Sequence, residues 1–288
     1  MKYFVVIILT MLIACQQTKK ETAETIPETP PVPTLTLKWT TDTLLTTCES
    51  VIYDKANDVL YVANINGVPD EKDGNGFISQ VSLDGTVINP KWVTGMDAPK
   101  GMGIYNGKLF VADIDRVHEI DIASGKITNT YPVEGAAFLN DITIDDSGRV
   151  FISDSGAGNI ILLENGTAST WMSGLNGPNG LLAEGENLMM ASFPGGTFNS
   201  INGSKEVTQI ADGIENGDGV EAVGDGGYLV SSWNGMVHYV DTAGVASLIL
   251  DTRADSVSAA DIEYIADKKL LLVPGFFKNK VIAYELNN

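Results

Sequence analysis

Histidine and cysteine are scarce in this chain, which holds two of each among 288 residues. Without a cluster of these residues the sequence offers no typical zinc site. The two histidines, His118 and His238, fall at equivalent strand positions of two repeats and are expected to be structural. Cys48 has no histidine beside it in the repeat pattern, so a buried core position is favoured over a nucleophile. The G-x-S-x-G motif of serine hydrolases is absent as well.

Basic residues are also few. The sequence has 18 Lys and Arg against 37 Asp and Glu, a formal net charge of −19. Such a balance argues against nucleic acid and anionic lipid as partners, and it is compatible with divalent cations. Helical periodicity is missing too. The apolar runs are short, β-branched and bounded by Gly, Asp and Asn, a pattern that predicts strands throughout.

Only one long apolar run is present, and it opens the chain. It follows Lys2 and is too short to span a bilayer, so residues 1–14 are predicted to be a signal peptide. The sequence Leu-Ile-Ala-Cys that ends at Cys15 resembles a bacterial lipobox, which predicts lipidation of Cys15 and a membrane-anchored, extracytoplasmic lipoprotein of the periplasm or cell surface. An ordinary secretory signal is the alternative. Lipidation would leave Cys48 without a disulfide partner.

The next segment, residues 15–34, is polar and proline-rich, and it is predicted to be a flexible tether. Six segments with a period near forty then follow, and each carries a polar residue where a strand begins. The six residues are Glu49, Lys100, Asn140, Asn179, Asp218 and Asp261. Short strands repeated at this period predict that residues 35–288 form an all-β, six-bladed β-propeller.

The two ends of the repeat region predict how the ring closes. The chain ends after a third strand, so the sixth blade lacks its outer strand. The N-terminal segment LTLKWTTD carries Trp39 in a Lys-Trp pair like that of another outer strand. It is therefore expected to complete the sixth blade and close the ring, which leaves no blade edge unpaired.

The six polar residues are expected to converge on the propeller axis. Three of them are acidic and one, Lys100, is basic, so the group carries a net negative charge that is costly to bury without a counter-ion. Carboxylate and amide oxygens suit calcium, a hard cation of flexible coordination. The alternative is that these side chains bind only channel water or one another.

Four segments carry a family resemblance: CESVIYDKANDVLYVAN, LNDITIDDSGRVFISD, GPNGL and GDGVEAVGDGGYLVSSWNGMVHYVD. In order and spacing they resemble the senescence marker protein/gluconolactonase/luciferin-regenerating enzyme (regucalcin-like) family of six-bladed propellers. The resemblance implies Glu49, Asn179 and Asp218 as ligands of Ca²⁺ or another divalent cation, with Asp218 also the catalytic base. It also implies Asn140 in the substrate pocket and Asn234 in an Asn-Gly turn.

The activity that the resemblance implies is hydrolysis of a lactone or related ester by metal-activated water. Lys100 departs from the pattern. It could pair with Glu49 or Asp261, meet a substrate carboxylate, or replace the cation. Asp261 could bind the cation directly or hydrogen-bond to a residue that does. The alternative function is therefore a non-catalytic, surface-anchored propeller that binds a ligand or a partner protein. In either case the protein is expected to be a monomer.

Two features are predicted to border the site. The insertion Asn66–Gly76 lies between two strands of the first blade and is either a lid over the pocket or a tolerated surface loop. Five apolar side chains are candidates for the pocket wall, each with a purely structural role as the alternative: Met102, Phe138, Phe193, Trp233 and Phe276.

Overall fold

The computed structural model describes residues 1–3 and 32–287. Most of the predicted signal peptide and tether, including Cys15, lies outside the described residues. Within the described part, the chain from Val32 onward forms one compact unit of β-strands. None of the described residues belongs to a helix with the length and apolarity needed to cross a membrane.

The strands form six antiparallel four-stranded sheets, the blades of a propeller. From the axis outward, blade 1 contains β2 (Cys48–Asp54), β3 (Val59–Asn64), β4 (Gly76–Val81) and β5 (Val87–Met96). Blade 2 contains β6 (Pro99–Tyr105), β7 (Lys108–Asp113), β8 (Arg116–Asp121) and β9 (Lys126–Pro132). Blade 3 contains β10 (Leu139–Ile144), β11 (Val150–Asp154), β12 (Asn159–Glu164) and β13 (Thr167–Met172).

The second half of the ring repeats this plan. Blade 4 contains β14 (Pro178–Glu184), β15 (Asn187–Ser192), β16 (Thr197–Ile201) and β17 (Val207–Asp212). Blade 5 contains β18 (Gly217–Ala222), β19 (Tyr228–Ser232), β20 (Met236–Val240) and β21 (Ala246–Asp251). Blade 6 contains β22 (Glu263–Ile265), β23 (Leu270–Pro274), β24 (Val281–Asn287) and β1 (Thr34–Thr40), with single-turn 3-10 helices at Arg253–Asp255 and Ala266–Lys268.

The predicted six-bladed propeller and its closure by an N-terminal strand are both confirmed. Strand β1 pairs antiparallel with β24 and supplies the outer strand of blade 6. The hydrophobic core lies between neighbouring blades, because the second strand of a blade is apolar on both faces. Strand β3, for example, is buried along its whole length.

The residues expected to be structural lie in this core or beside it. Cys48 is buried in the cluster between blades 1 and 6 and donates to the Lys280 carbonyl. Burial raises the pKa of its thiol to about 12, which makes it a poor nucleophile. His118 is buried with its ring 3.0 Å from both Asp113 and Thr130 in blade 2.

Replacement of Trp39 by Ala is expected to weaken ring closure. The indole packs against the core cluster between blades 1 and 6 and covers Gly85, where an added Cβ would lie 2.6 Å from the ring. We expect a loss of about 2–3 kcal/mol in the free energy of unfolding, measured by urea denaturation. Leu37→Ala on the same strand is the control, since Leu37 is 60% exposed. Equal stability of the two variants would contradict this role.

Candidate metal centre and ligand cavity

In blades 1 and 3 the inner strand brings two consecutive residues to the propeller axis, Glu49 with Ser50 and Asn140 with Asp141. In five blades the pairing of the inner strand with its neighbour is irregular at this point, as between Leu139 and Ile142 of β10. As a result, Asn140 lines a cavity at one end of the axis, while Asp141 lines a second cavity at the other end. We name the first the ring cavity and the second the acidic cavity.

The ring cavity has a volume of about 320 Å³. Five of the six residues predicted to converge on the axis line it: Glu49, Lys100, Asn140, Asn179 and Asp218. All five side chains are buried, although they come from five different blades. These five residues form the floor of the cavity.

Asp261 does not belong to this set. Its backbone N–H donates to the Glu49 carbonyl at 3.0 Å, and its carboxylate accepts from the Ser50 hydroxyl at 2.6 Å. It therefore lies beside Ser50, and Ala260 is the residue of blade 6 that corresponds to Glu49. The sequence alignment matched Asp261 with the floor residues of the other blades because it is acidic. In the structure Ile262 is the residue that matches the buried apolar residues of the other inner strands, which moves Asp261 one position along the repeat. Asp261 lines the acidic cavity instead.

Two buried oxygen atoms of the floor have no hydrogen-bond partner among the described residues. They are Oε2 of Glu49 and Oδ1 of Asn179. The amide of Asn179 is held in place because its Nδ2 donates to the Gly217 carbonyl at 3.2 Å and to Oδ1 of Asp218 at 3.0 Å. Unpaired buried acceptors are costly, and the carboxylate and amide oxygens here match the ligands that calcium prefers. The donor set therefore fits the predicted cation.

This set has two carboxylates and one amide. Among the described residues there is no group of three or more His, Cys, Asp or Glu side chains placed to hold a metal ion. The candidate centre thus depends on the amide oxygen of Asn179 as well as on Glu49 and Asp218. Proteins commonly supply such mixed oxygen ligands to calcium.

The two floor carboxylates are strongly perturbed. Burial raises the pKa of Glu49 well above its usual value, and the charges of Asp218 and Asp261 raise it further. Burial, followed by the charge of Asp261, raises the pKa of Asp218 in the same way. A bound cation would favour the ionised form of both groups.

Lys100 does not pair with these acids. Its Nζ donates to the Ala98 carbonyl at 3.1 Å and lies 4.3 Å from the centre of the Phe138 ring. None of the ion pairs in the described part of the chain involves it. Burial lowers its pKa to about 8, against the opposing effect of Glu49. Of the three alternatives for Lys100, pairing with Glu49 or Asp261 is therefore not observed.

The other two predicted site residues differ in position. Asn140 is in the floor, where its Nδ2 donates to the Ser155 hydroxyl at 3.3 Å. Asn234 lies in the turn between β19 and β20, but it does not line the ring cavity. Its neighbour Trp233 lines the wall instead.

The wall of the ring cavity is apolar. Four of the predicted wall residues line it: Phe138, Phe193, Trp233 and Phe276. Three further lining residues were not predicted: Ile65, Pro69 and Phe277. Met102 packs between blades 1 and 2 instead. Pro69 comes from the insertion Asn66–Gly76, so this loop borders the cavity. The adjacent pair Phe276-Phe277 is the sequence signal that could have identified Phe277.

The acidic cavity was not predicted. It has a volume of about 200 Å³ and its lining includes four carboxylates: Asp141, Glu221, Asp261 and Glu263. The pKa of all four carboxyl groups is raised, and burial is the main cause. The pKa reaches about 6 for Asp261 and about 8 for Glu263. The acidic residues on the inner strands were the sequence signal for this cavity. The repeat period does not specify the direction of their side chains, so the cavity could not be predicted from it.

Glu263→Gln is expected to stabilise the protein at high pH. The pKa of Glu263 is raised from 4.5 to about 8 in the folded state, so folded-state stability is lost as the pH rises through this range. Above pH 8 the free energy of unfolding of the variant should exceed that of the wild type by on the order of 1 kcal/mol. This difference should disappear below about pH 4.5. Thermal unfolding at several pH values measures it. Exposed Glu186→Gln is the control, and a pH-independent gain would refute the assignment.

Known structures share this architecture at low sequence identity. A gluconolactonase from Xanthomonas campestris has a TM-score of 0.70 and 16% identity, covering 89% of this chain and 95% of its own. A catalytically inactive virginiamycin B lyase from Staphylococcus aureus, solved with quinupristin, has a TM-score of 0.62 and 14% identity. The match covers 88% of this chain and 99% of the lyase chain. A chain of a nidogen/laminin complex has a TM-score of 0.59 and 18% identity, covering 69% and 78%.

No protein-family model and no curated protein sequence matches the chain. The similarity to solved structures establishes the fold, and it includes gluconolactonases among the six-bladed propellers that this chain resembles. The same architecture also occurs in a lyase and in a protein–protein complex, so the function has to be argued from the site.

Proposed function

We propose that the protein is a calcium-dependent hydrolase of lactones or related esters. The observation that carries this proposal is the pair of unpartnered, buried oxygen atoms, Glu49 Oε2 and Asn179 Oδ1, in one cavity with Asp218. The fold shared with a gluconolactonase supports the choice of reaction. Another divalent cation with the same preference for oxygen ligands would serve equally.

In this proposal Glu49, Asn179 and Asp218 hold the cation. When bound, calcium would polarise the ester carbonyl and stabilise the negative charge that develops on its oxygen. Asp218 would accept a proton from the attacking water. The hydrogen bond from Asn179 Nδ2 fixes Oδ1 of Asp218, which restricts the rotation of the carboxylate and leaves Oδ2 for proton transfer.

Asn140 and Lys100 would contact the substrate. Both line the floor of the cavity, and Lys100 places an ammonium group there that is held by Ala98 and Phe138. Its positive charge would add to that of the cation and favour the oxyanion of the tetrahedral intermediate. Asp261 would hold Glu49 in position through its hydrogen bonds to Ser50 and to the backbone of Glu49.

Calcium titration calorimetry, followed by hydrolysis assays on a panel of lactones and esters, tests the proposal. We expect saturable calcium binding and hydrolysis that is lost with a chelator and restored by calcium. Absence of calcium binding would overturn the proposal and favour the alternative, a non-catalytic propeller that binds a small ligand or a partner protein. Binding of calcium without hydrolysis of any substrate would equally exclude the enzyme.

We also propose that the protein is a monomeric lipoprotein, anchored to a membrane through Cys15 on the extracytoplasmic side. The sequence around Cys15 is the support for this. Metabolic labelling with a fatty acid should label the wild type but not Cys15→Ser, and the variant should leave the membrane fraction. Equal labelling of both would refute the anchor. Sizing of the detergent-solubilised protein checks the monomer.

A further inference from the structure

The wall of the ring cavity contains a fixed cluster of aromatic rings. Trp233 and Phe276 meet edge to face with ring centres 5.5 Å apart, and Phe276 and Phe277 do so at 4.6 Å. Trp233 also meets Phe277 at 6.2 Å. Because each ring contacts the other two, these side chains form one continuous apolar surface beside the polar floor.

The apolar space continues to one side. An adjoining cavity of about 320 Å³ shares Phe138, Asn140 and Phe193 with the ring cavity, and Pro194 extends its lining. The two adjoining cavities, each of about 320 Å³, together offer more space than a single lactone ring fills. An elongated ligand could therefore place one end at the floor and the other beside Phe193.

Charged and amide groups are confined to the floor. Among the described residues that line the ring cavity, all of the charged and amide side chains belong to the five floor residues, and the indole Nε1 of Trp233 is the one polar side-chain atom of the wall. A polyhydroxylated sugar lactone would bury more hydroxyl groups against this wall than the wall can partner, at a cost of about 1–3 kcal/mol for each unpaired group. Phe277, in contrast, is 59% exposed, and an apolar ligand would cover it.

Building on the function proposed above, we infer that the substrate is a lactone carrying an apolar alkyl or aryl substituent. The lactone carbonyl would lie at the floor, where Glu49, Asn179 and Asp218 are. The substituent would lie against Trp233 and Phe277 or extend past Phe193 into the adjoining cavity. The apolar wall selects the substituent, and the polar floor carries out the reaction.

A kinetic series tests the inference in the full-length protein with calcium. The substrates are δ-valerolactone, δ-decalactone, which adds a pentyl chain, and glucono-δ-lactone. We expect kcat/KM to be at least about 10-fold higher for δ-decalactone than for either of the others, because buried methylene groups favour binding. Equal values, or a preference for glucono-δ-lactone, would overturn the inference and leave the proposed hydrolase intact.

Binding without turnover separates the two proposals. The lactams that correspond to δ-decalactone and glucono-δ-lactone are not cleaved, and calorimetry measures their affinity. Tighter binding of the decalactam, with no hydrolysis of any lactone, would refute the hydrolase but support the apolar ligand. Failure of the decalactam to bind, or equal binding of both lactams, would overturn the inference whether or not hydrolysis occurs.

Variants of the wall assign the effect to this cavity. Phe193→Ser and Phe277→Ser should each reduce the preference for δ-decalactone over δ-valerolactone by about 5-fold or more, since each removes apolar contact area. Leu248→Ser is the matched control, because Leu248 is 48% exposed on an outer strand. An unchanged preference in both wall variants would contradict the inference. Phe277 is exposed, so its replacement should leave folding intact.

Discussion

Asp218→Asn is expected to abolish both functions of the candidate centre. The substitution keeps the shape of the side chain but removes its charge and its ability to accept a proton. We expect calcium affinity to fall by at least about 100-fold, because a direct ligand should matter at least as much as the outer-shell partners of a metal site. Loss of the general base should lower kcat by about 10²–10⁴-fold at saturating calcium. Calorimetry and lactone hydrolysis measure the two effects separately.

The control for this variant is Asp146→Asn, which changes the net charge equally at an exposed position in a turn of blade 3. The calcium-free Asp218→Asn protein should be at least as stable as the wild type, because burial and the charge of Asp261 disfavour the ionised carboxylate. Calcium affinity and hydrolysis that match those of Asp146→Asn would show that Asp218 is not part of the centre.

Gly180→Ala is expected to be the most destabilising small substitution near the axis. An added Cβ at Gly180 would lie 1.8 Å from the backbone carbonyl oxygen of Asp218, so the inner strands β14 and β18 would have to separate. Backbone cannot move aside as a flexible side chain can. We expect a loss of about 3 kcal/mol in the free energy of unfolding, measured by urea denaturation. Calcium affinity should fall as well, because Asn179 and Asp218 would move apart.

Gly203→Ala provides the matched control. Its added Cβ would have no neighbour within 4 Å, so we expect a change in unfolding free energy within about 0.5 kcal/mol. The comparison distinguishes close approach at the axis from a general effect of glycine replacement. If Gly180→Ala were as stable as Gly203→Ala, the spacing of the inner strands described here would be wrong.

The architecture could be predicted from the sequence because it depends on local patterns repeated six times. Strand lengths, turn residues and the period near forty are all properties of neighbouring residues, and each repeat reinforces the same interpretation. The closing strand was predictable for a related reason. Blade 6 lacked one strand, and the segment around Trp39 resembled an outer strand that had no blade.

The site could be predicted only in part. The convergence of Glu49, Lys100, Asn140, Asn179 and Asp218 on one cavity could be predicted because they share one phase with the strands that follow them. Asp261 was aligned with Glu49, whereas in the structure it lies beside Ser50. The error arose because the acidic side chain was aligned and the apolar Ile262 was not. The period specifies where a strand begins, but it does not specify which of two consecutive residues faces which cavity.

Interactions between blades account for the remaining differences. The ammonium group of Lys100 turns to Ala98 and Phe138, and Phe138 belongs to the next blade. Likewise, the acidic cavity arises because Asp141, Glu221 and Glu263 of three inner strands face one another. The contact of Lys100 with Phe138 and the contacts around the acidic cavity join residues that are tens of positions apart in the sequence, so no repeat pattern encodes them.

The pairing of β1 with β24 has a consequence for the order of folding. Among the described residues, β1 has one sheet partner, β24, about 245 residues later, so the last blade is complete only when the two ends of the propeller meet. Blades 1–5 contain only strands that follow one another in the sequence, so they can form before this long-range pairing, and blade 6 is expected to close last.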